Sequence, residues 1–162
     1  MVILGIGSNL SSAYGDRFKN INLAIQYLEQ YGFQILKRSA FYETPSYPNK
    51  SKPKFINIII QVSTVLPPVD LASVLLFVEK KLGRTRNIKN DPRTCDIDII
   101  DYNNKILKRD VILPHPRMHT RNFVLFPLFE INKNWKHPIL KKDIKILICS
   151  LSNKDIRSIK LI

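Results

Sequence analysis

Apolar positions recur along the chain in two rhythms, one of strands and one of helices. Val2-Ile3-Leu4-Gly5-Ile6 is a short β-branched and aliphatic run that Gly7-Ser8-Asn9 interrupts, which predicts a buried strand. From about Asp16 to Tyr31 the apolar residues Ile21, Ala24, Ile25, Leu28 and Tyr31 fall at helical spacing, and Gly32 stands where a left-handed cap would stop the helix. A second strand is predicted at about Phe33 to Tyr42, before a loop that runs from Thr44-Pro45 through Tyr47-Pro48 to Pro53. Phe55 to Val65 is rich in Ile and Val, free of Gly and Pro, and apolar on both faces. Pro67-Pro68 suits a helix start, Leu71, Val74, Leu75, Val78 and Leu82 mark one helical face, and Gly83 ends it.

After a basic stretch from Arg84 to Arg93 comes Cys95-Asp96-Ile97-Asp98-Ile99-Ile100, a strand that carries acids. Asn103-Asn104 then predicts a turn into a small hairpin through Ile106-Leu107 and Val111-Ile112. The order is β-α-β-β-α-β, an α+β, ferredoxin-like arrangement in which an antiparallel sheet carries helices on one face. The remainder, from Leu113, reads as C-terminal loops and short helices around that unit. Neither a repeat nor a low-complexity linker divides the chain, so residues 1–162 are expected to form a single domain.

Composition narrows the class. With 162 residues, 44% hydrophobic and 24% charged, the chain can bury a core without a disulfide or metal staple. Cys95 and Cys149 form no ligand-like pattern and suit a reducing compartment. The first residues lack the charge and length of a leader, and no apolar run reaches the roughly 18 residues of a membrane span. A cytoplasmic enzyme without membrane contact is therefore expected. A net charge of +13 would attract nucleic acid, acidic lipid or a polyphosphate, although much of the lysine reads as solvated surface.

The chemistry concentrates around two acids. Asp96 and Asp98 leave the same face of a strand, roughly 7 Å apart. Two carboxylates so placed repel unless a cation or proton compensates them, and oxygen ligands near phosphate suit Mg²⁺. A DxD pair alone is a weak signal. Arg84, Arg86, Lys89 and Arg93 lie just upstream, and acids for a metal beside arginines for phosphate oxygens are what phosphoryl transfer needs. His115 and His119 have zinc-like spacing, but Pro114 and Pro116 oppose a helix there and no third ligand is evident. His115 reads better as a fixed donor to phosphate, and His137 as a solvated loop residue. No Walker-type or kinase-type glycine loop occurs, so any ATP binds without a P-loop.

Asp91-Pro92-Arg93-Thr94-Cys95-Asp96-Ile97-Asp98-Ile99-Ile100 resembles the signature of the 6-hydroxymethyl-7,8-dihydropterin pyrophosphokinase family, Gly-Pro-Arg-Thr-x-Asp-x-Asp followed by two aliphatics. Further matches keep the family's order: Gly5-Ile6-Gly7-Ser8-Asn9-Leu10, Tyr42-Glu43-Thr44-Pro45, Phe55-Ile56-Asn57, Glu79 with Leu82-Gly83-Arg84-Thr85-Arg86, and Leu113 to Phe123. The resemblance reaches about Ile131. It implies transfer of diphosphate from ATP to 6-hydroxymethyl-7,8-dihydropterin, with release of AMP, in tetrahydrofolate biosynthesis. By the same resemblance, Asp96 and Asp98 would hold two Mg²⁺ ions, while Arg84 and Arg93 would stabilise the transferring group. Glu79, Arg84, Arg86, Lys89, Arg93, His115 and Arg121 would line the ATP site. Thr44, Pro45 and Asn57 would hold the pterin edge, with Phe55 and Phe123 flanking it.

The family usually carries Trp-Gly where this chain has Asn90-Asp91, which predicts weaker substrate affinity with the chemistry retained. A monomer that binds small molecules and no nucleic acid is the expected state. Two rival classes rank well below this reading. A basic RNA-binding module would need exposed aromatics on central strands. A DxD glycosyltransferase usually needs a larger nucleotide-sugar domain than this chain provides.

Overall fold

The computed structural model describes residues 1–46, 51–84 and 92–162. Strand β1 (Val2–Ser8) leads to helix α1 (Arg17–Gln30), whose first turn is capped by the Asp16 carboxylate accepting from the Lys19 N–H at 2.9 Å. Strands β2 (Gln34–Arg38), β3 (Tyr42–Thr44) and β4 (Phe55–Ser63) follow, and then helix α2 (Pro68–Lys81). Pro68 opens α2, and Asp70 in its first turn and Lys80 and Lys81 in its last complement the helix dipole. Strand β5 (Asp96–Tyr102), helices α3 (Asn122–Ile131), α4 (Ile144–Cys149) and α5 (Asn153–Ser158), and strand β6 (Lys160–Leu161) complete the chain.

The strands form one antiparallel sheet in the order β5-β1-β4-β3-β6, with β2 also paired to β4. The strand predicted from Phe33 to Tyr42 is thus two strands that share the outer edge of β4. Ser39 bridges the break: its N–H donates to the Ile59 carbonyl at 2.9 Å, and its hydroxyl accepts from the Ile59 N–H at 3.0 Å. The ladder bonds lost at the break are thereby replaced, as buried backbone groups require. The predicted hairpin near Ile106 reduces to a single bridge between Leu107 and Leu113.

Alternation along the central strands creates two cores. Leu4, Ile6, Ile58, Ile60, Ile97 and Ile99 face α1 and α2, packing on Ile21, Leu28, Leu71 and Val78. Ile3, Ile59 and Ile100 face the other way, onto Val124, Leu125, Leu128, Trp135 and Leu147. The expected helices on one face are α1 and α2. The opposite face is covered as well, by α3 and α4, so the C-terminal part builds a core of its own. A bulge in β5 opposite Ile3 and Leu4 shifts the alternation, and the buried Asp101 carboxylate accepts from the Trp135 indole at 2.8 Å.

His137 differs from its expectation as a solvated loop residue. It is buried at 3% exposure, its Nδ1 accepts from the N–H groups of Ile139 and Leu140, and its ring meets Trp135 and His119 edge-on. Among the described residues no helix is long and apolar enough to cross a membrane.

Candidate active site

Asp96 and Asp98 lie on the β5 face opposite Ile97, whose side chain enters the α1–α2 core. Gly83 stops α2 with φ of 81°, and the next residue, Arg84, turns back so that its Nη1 donates to Asp96 Oδ1 at 2.5 Å. Arg84 also pairs with Glu79, and Glu79 Oε1 accepts from the Ile97 N–H at 2.7 Å. Glu79 is 2% exposed, so this buried acid clamps the end of α2 to the start of β5. Burial would lower the Arg84 pKa, but the charges of Asp96 and Glu79 outweigh it and hold the guanidinium above its ordinary value.

Arg93 takes the other oxygen of Asp96, Nη1 to Oδ2 at 2.9 Å, and its guanidinium carbon lies 5.7 Å from the Phe55 ring centroid. Its backbone is fixed by Asn9. The Arg93 N–H donates to Asn9 Oδ1 at 2.7 Å, and the N–H groups of Asn9 and Leu10 donate to the Arg93 carbonyl. The Asn9 amide then reaches the Ser46 hydroxyl at 3.2 Å and the Pro53 carbonyl at 3.0 Å. One buried asparagine therefore joins the arginine loop to the loop after β3. Strand β1 runs through Ser8, so Gly7-Ser8 does not break it, and the one sequence signal for Asn9 is its place in the matched opening motif.

Asp98 meets a different pair. Arg121 Nη1 is 3.5 Å and His115 Nε2 3.8 Å from its Oδ2. Burial first, and then the Asp96 charge, push the Asp98 carboxyl up to about 6 against the pull of Arg121. Burial, Arg121 and Arg117 push His115 down to about 4, so its ring is neutral near pH 7. His115 Nδ1 accepts from the Arg117 N–H at 3.2 Å, and its Nε2, 3.4 Å from Arg121 Nη1, faces the acids. His119 packs edge-on against His137, their ring centroids 5.6 Å apart.

Beyond the arginines lies a buried polar pair. Thr44 and Asn57 are buried and joined, Asn57 Nδ2 donating to Thr44 Oγ1 at 3.1 Å. Gly7 backs them: a Cβ there would stand 3.0 Å from Asn57 Oδ1 and 3.6 Å from the Phe55 ring. Pro45 follows Thr44 directly, and Phe123, the second residue of α3, has the Arg121 guanidinium 5.3 Å from its ring centroid. Arg86 and Lys89 lie outside the described residues, as do Asn90 and Asp91.

Residues 3–133 match the model of the family described as 7,8-dihydro-6-hydroxymethylpterin-pyrophosphokinase (HPPK). The chain belongs to that family. It is 37% identical over 145 residues to the 2-amino-4-hydroxy-6-hydroxymethyldihydropteridine pyrophosphokinase of Aquifex aeolicus, covering 89% of this chain and 88% of that one. It is 36% identical over 159 residues to the folic acid synthesis protein fol1 of Pneumocystis carinii, covering 98% of this chain and 21% of that protein. The chain thus spans about a fifth of the fol1 length and most of the bacterial relative. Its fold is similar to a crystal structure of a Plasmodium falciparum HPPK-DHPS triple mutant with pteroate, at a TM-score of 0.70 and 14% identity, over 99% of this chain and 46% of that one.

The residues present fit a hard divalent cation. Two carboxylates share one strand face, and burial together with the Asp96 charge raises Asp98 to about 6, a repulsion that a cation between them would relieve. Among the described residues no group of three or more His, Cys, Asp or Glu could hold a metal. Mg²⁺ suits such a partial set, because it takes one or two carboxylates and completes its shell with water and phosphate oxygens. Beside Asp98 and His115 opens a cleft of about 220 Å³ lined by Ala72, Leu75, Leu76, Ile97, Ile99, Val111 and Ile112. Its walls are mainly apolar, and it begins where the charged groups end.

Proposed function

We propose that the chain transfers the β,γ-diphosphate of ATP to the hydroxymethyl oxygen of 6-hydroxymethyl-7,8-dihydropterin and releases AMP, a step of folate synthesis. The observation that carries this reading is the row of Arg84, Arg93, His115 and Arg121 along the Asp96–Asp98 face, between an apolar cleft and the Thr44–Asn57 pair. The cleft suits a flat base, the row suits a polyphosphate, and the Thr44–Asn57 edge suits the donors and acceptors of a pterin. Phe123 and Phe55 flank that edge and offer ring faces for stacking.

Asp96 and Asp98 would hold two Mg²⁺ ions, which when bound supply charge neutralisation on the phosphates and acidify the attacking hydroxyl. Arg84 and Arg93 reach the transferring group by exchanging Asp96 for phosphate oxygens, and their planar forks suit two oxygens at a time. Glu79, buried between Ile97 and Arg84, positions Arg84 from behind. The neutral His115 donates its Nε2–H, and Arg121 adds a cation on the Asp98 side. Arg86 and Lys89 complete the cationic arm on the family's pattern. The pterin hydroxyl gives up its proton to solvent as its oxygen attacks the β-phosphorus in line, the bond to the α–β bridging oxygen breaks, and AMP carries that oxygen away. No covalent enzyme intermediate is needed.

The ferredoxin-like reading is supported by the sheet: with β2 and β3 counted as one interrupted strand, the order from β5 runs fourth, first, third, second. One domain, a monomer and a cytoplasmic site of action go with the proposal. An RNA-binding sheet is disfavoured because helices pack on both sides of this one.

The test is AMP release from ATP and Mg²⁺ with and without 6-hydroxymethyl-7,8-dihydropterin. Pterin-dependent AMP is the expected result. AMP release that ignores the pterin would point to a hydrolase, and none at all from folded, nucleotide-bound protein would sink the proposal.

A further inference from the structure

We infer that the C-terminal segment, α5 with β6, is a strap that sets the pterin side of the site, with Asn122 as its anchor. The inference rests on the functional reading above. The segment lies beyond residue 133, where the family match ends, so nothing in that match gives it a role.

Two contacts carry it. First, β6 pairs with β3 in the register Tyr42↔Leu161 and Glu43↔Lys160, and the Ile162 N–H donates to the Phe41 carbonyl at 3.0 Å. Strand β3 spans only Tyr42–Thr44, and it delivers Thr44 to Asn57. Without β6 it would be a short edge strand paired on one side alone, and such edges fray. Second, Asn122 opens α3 between Arg121 and Phe123. Its Nδ2 donates to the Asp155 carbonyl at 2.6 Å and the Ser158 hydroxyl at 3.1 Å, and its Oδ1 accepts from the Phe123 N–H at 2.7 Å. Asn122 is 8% exposed, so these bonds are made away from most solvent competition.

One ten-residue stretch, residues 153–162, therefore touches both walls of the proposed pterin pocket, Thr44 through β3 and Phe123 through Asn122. It touches none of the residues that line the apolar cleft through any of these bonds. Asn122 and the strap are positioning elements, so their loss should act on pterin binding far more than on ATP binding. Coupling between two sites is reciprocal: if the strap orders the pocket, pterin in the pocket must order the strap.

Two variants test this, Asn122→Ala and a chain shortened by residues 160–162. Each is expected to raise the pterin KM by about five- to tenfold, as the loss of a buried hydrogen-bonded contact implies, with the ATP KM changed by less than about twofold. Equal shifts in both KM values, or none in a folded variant, would overturn the strap. Should neither variant fold, amide exchange in the intact chain decides. Added pterin is expected to slow exchange at Lys160, Leu161 and Ile162, and unchanged exchange under saturating pterin overturns the inference. Wild-type chain that forms no AMP would instead remove the functional reading, so the two failures are told apart.

Discussion

Asp98 lacks what Asp96 has, an arginine on each oxygen. Asp96 spends both oxygens on Arg84 and Arg93, whereas Asp98 has, among the described residues, the longer approaches of Arg121 and His115 and is raised to about 6 by burial and by its neighbour. Asp98→Ala should remove a metal ligand and relieve that repulsion. A fall in kcat of about a thousandfold is expected with the melting temperature held or slightly raised, read by AMP release and thermal unfolding. Near-normal turnover would remove the metal assignment. Gly7 tests the other wall. A methyl there would stand 3.0 Å from Asn57 Oδ1, so the amide must give by a few tenths of an ångström, and Gly7→Ala should shift it from Thr44. The pterin KM should rise by about tenfold and the ATP KM stay put, which steady-state kinetics with each substrate varied would show. At this scale the DxD pair, Arg84, Arg93 and His115 were legible because their charge and spacing do not depend on the fold. Asn9 and Asn122 were not, because an asparagine joining distant backbone segments has no local pattern.

Among the elements, α1 and α2 were readable to within a residue or two, since Asp16, Gly32, Pro68 and Gly83 mark their ends by local chemistry. Gly83 also aims Arg84 at Asp96. A Cβ at Gly83 would meet nothing within 4 Å, so the whole cost of Gly83→Ala comes from φ of 81°. A loss of about 1–2 kcal/mol is expected in denaturant unfolding, together with a lower kcat as Arg84 is displaced. An unchanged midpoint and kcat would show that the helix end tolerates a different exit. The break between β2 and β3 was not legible, because Ser39 resembles any polar strand residue until the Ile59 backbone opposite it is known. The second core was missed for a related reason: Phe123 to Ile131 carries apolar residues on most positions and shows no single face, as a helix packed on several sides does not.

For the whole molecule, burial of histidine couples the C-terminal core to pH. His137 is pushed down to about 4 by burial and then by His119. The unfolded chain, with histidine near its ordinary 6.5, binds a proton across that window that the folded chain refuses. Stability should therefore be fully present above about pH 6.5 and fall as the pH drops toward 4. His137→Asn keeps an acceptor for the Ile139 and Leu140 N–H groups and removes the titration. Its stability curve should be flatter over that interval by up to about 1.4 kcal/mol per pH unit, measured by urea unfolding at several pH values. Parallel curves would mean that His137 protonates freely in the folded state.

The helices α1 and α2, the central strands, the acid pair and the flanking Arg84 and Arg93 followed from the chain alone, because periodicity, caps and charge are properties of neighbouring residues. What only the tertiary structure decided is everything that joins distant residues: the Glu79 clamp from α2 to β5, the Asn9 link between two loops, the burial of His137, and the strap from residues 153–162 to β3 and α3. A hydrogen bond between segments far apart in sequence depends on where the packed sheet places each backbone, and local spacing does not encode that position.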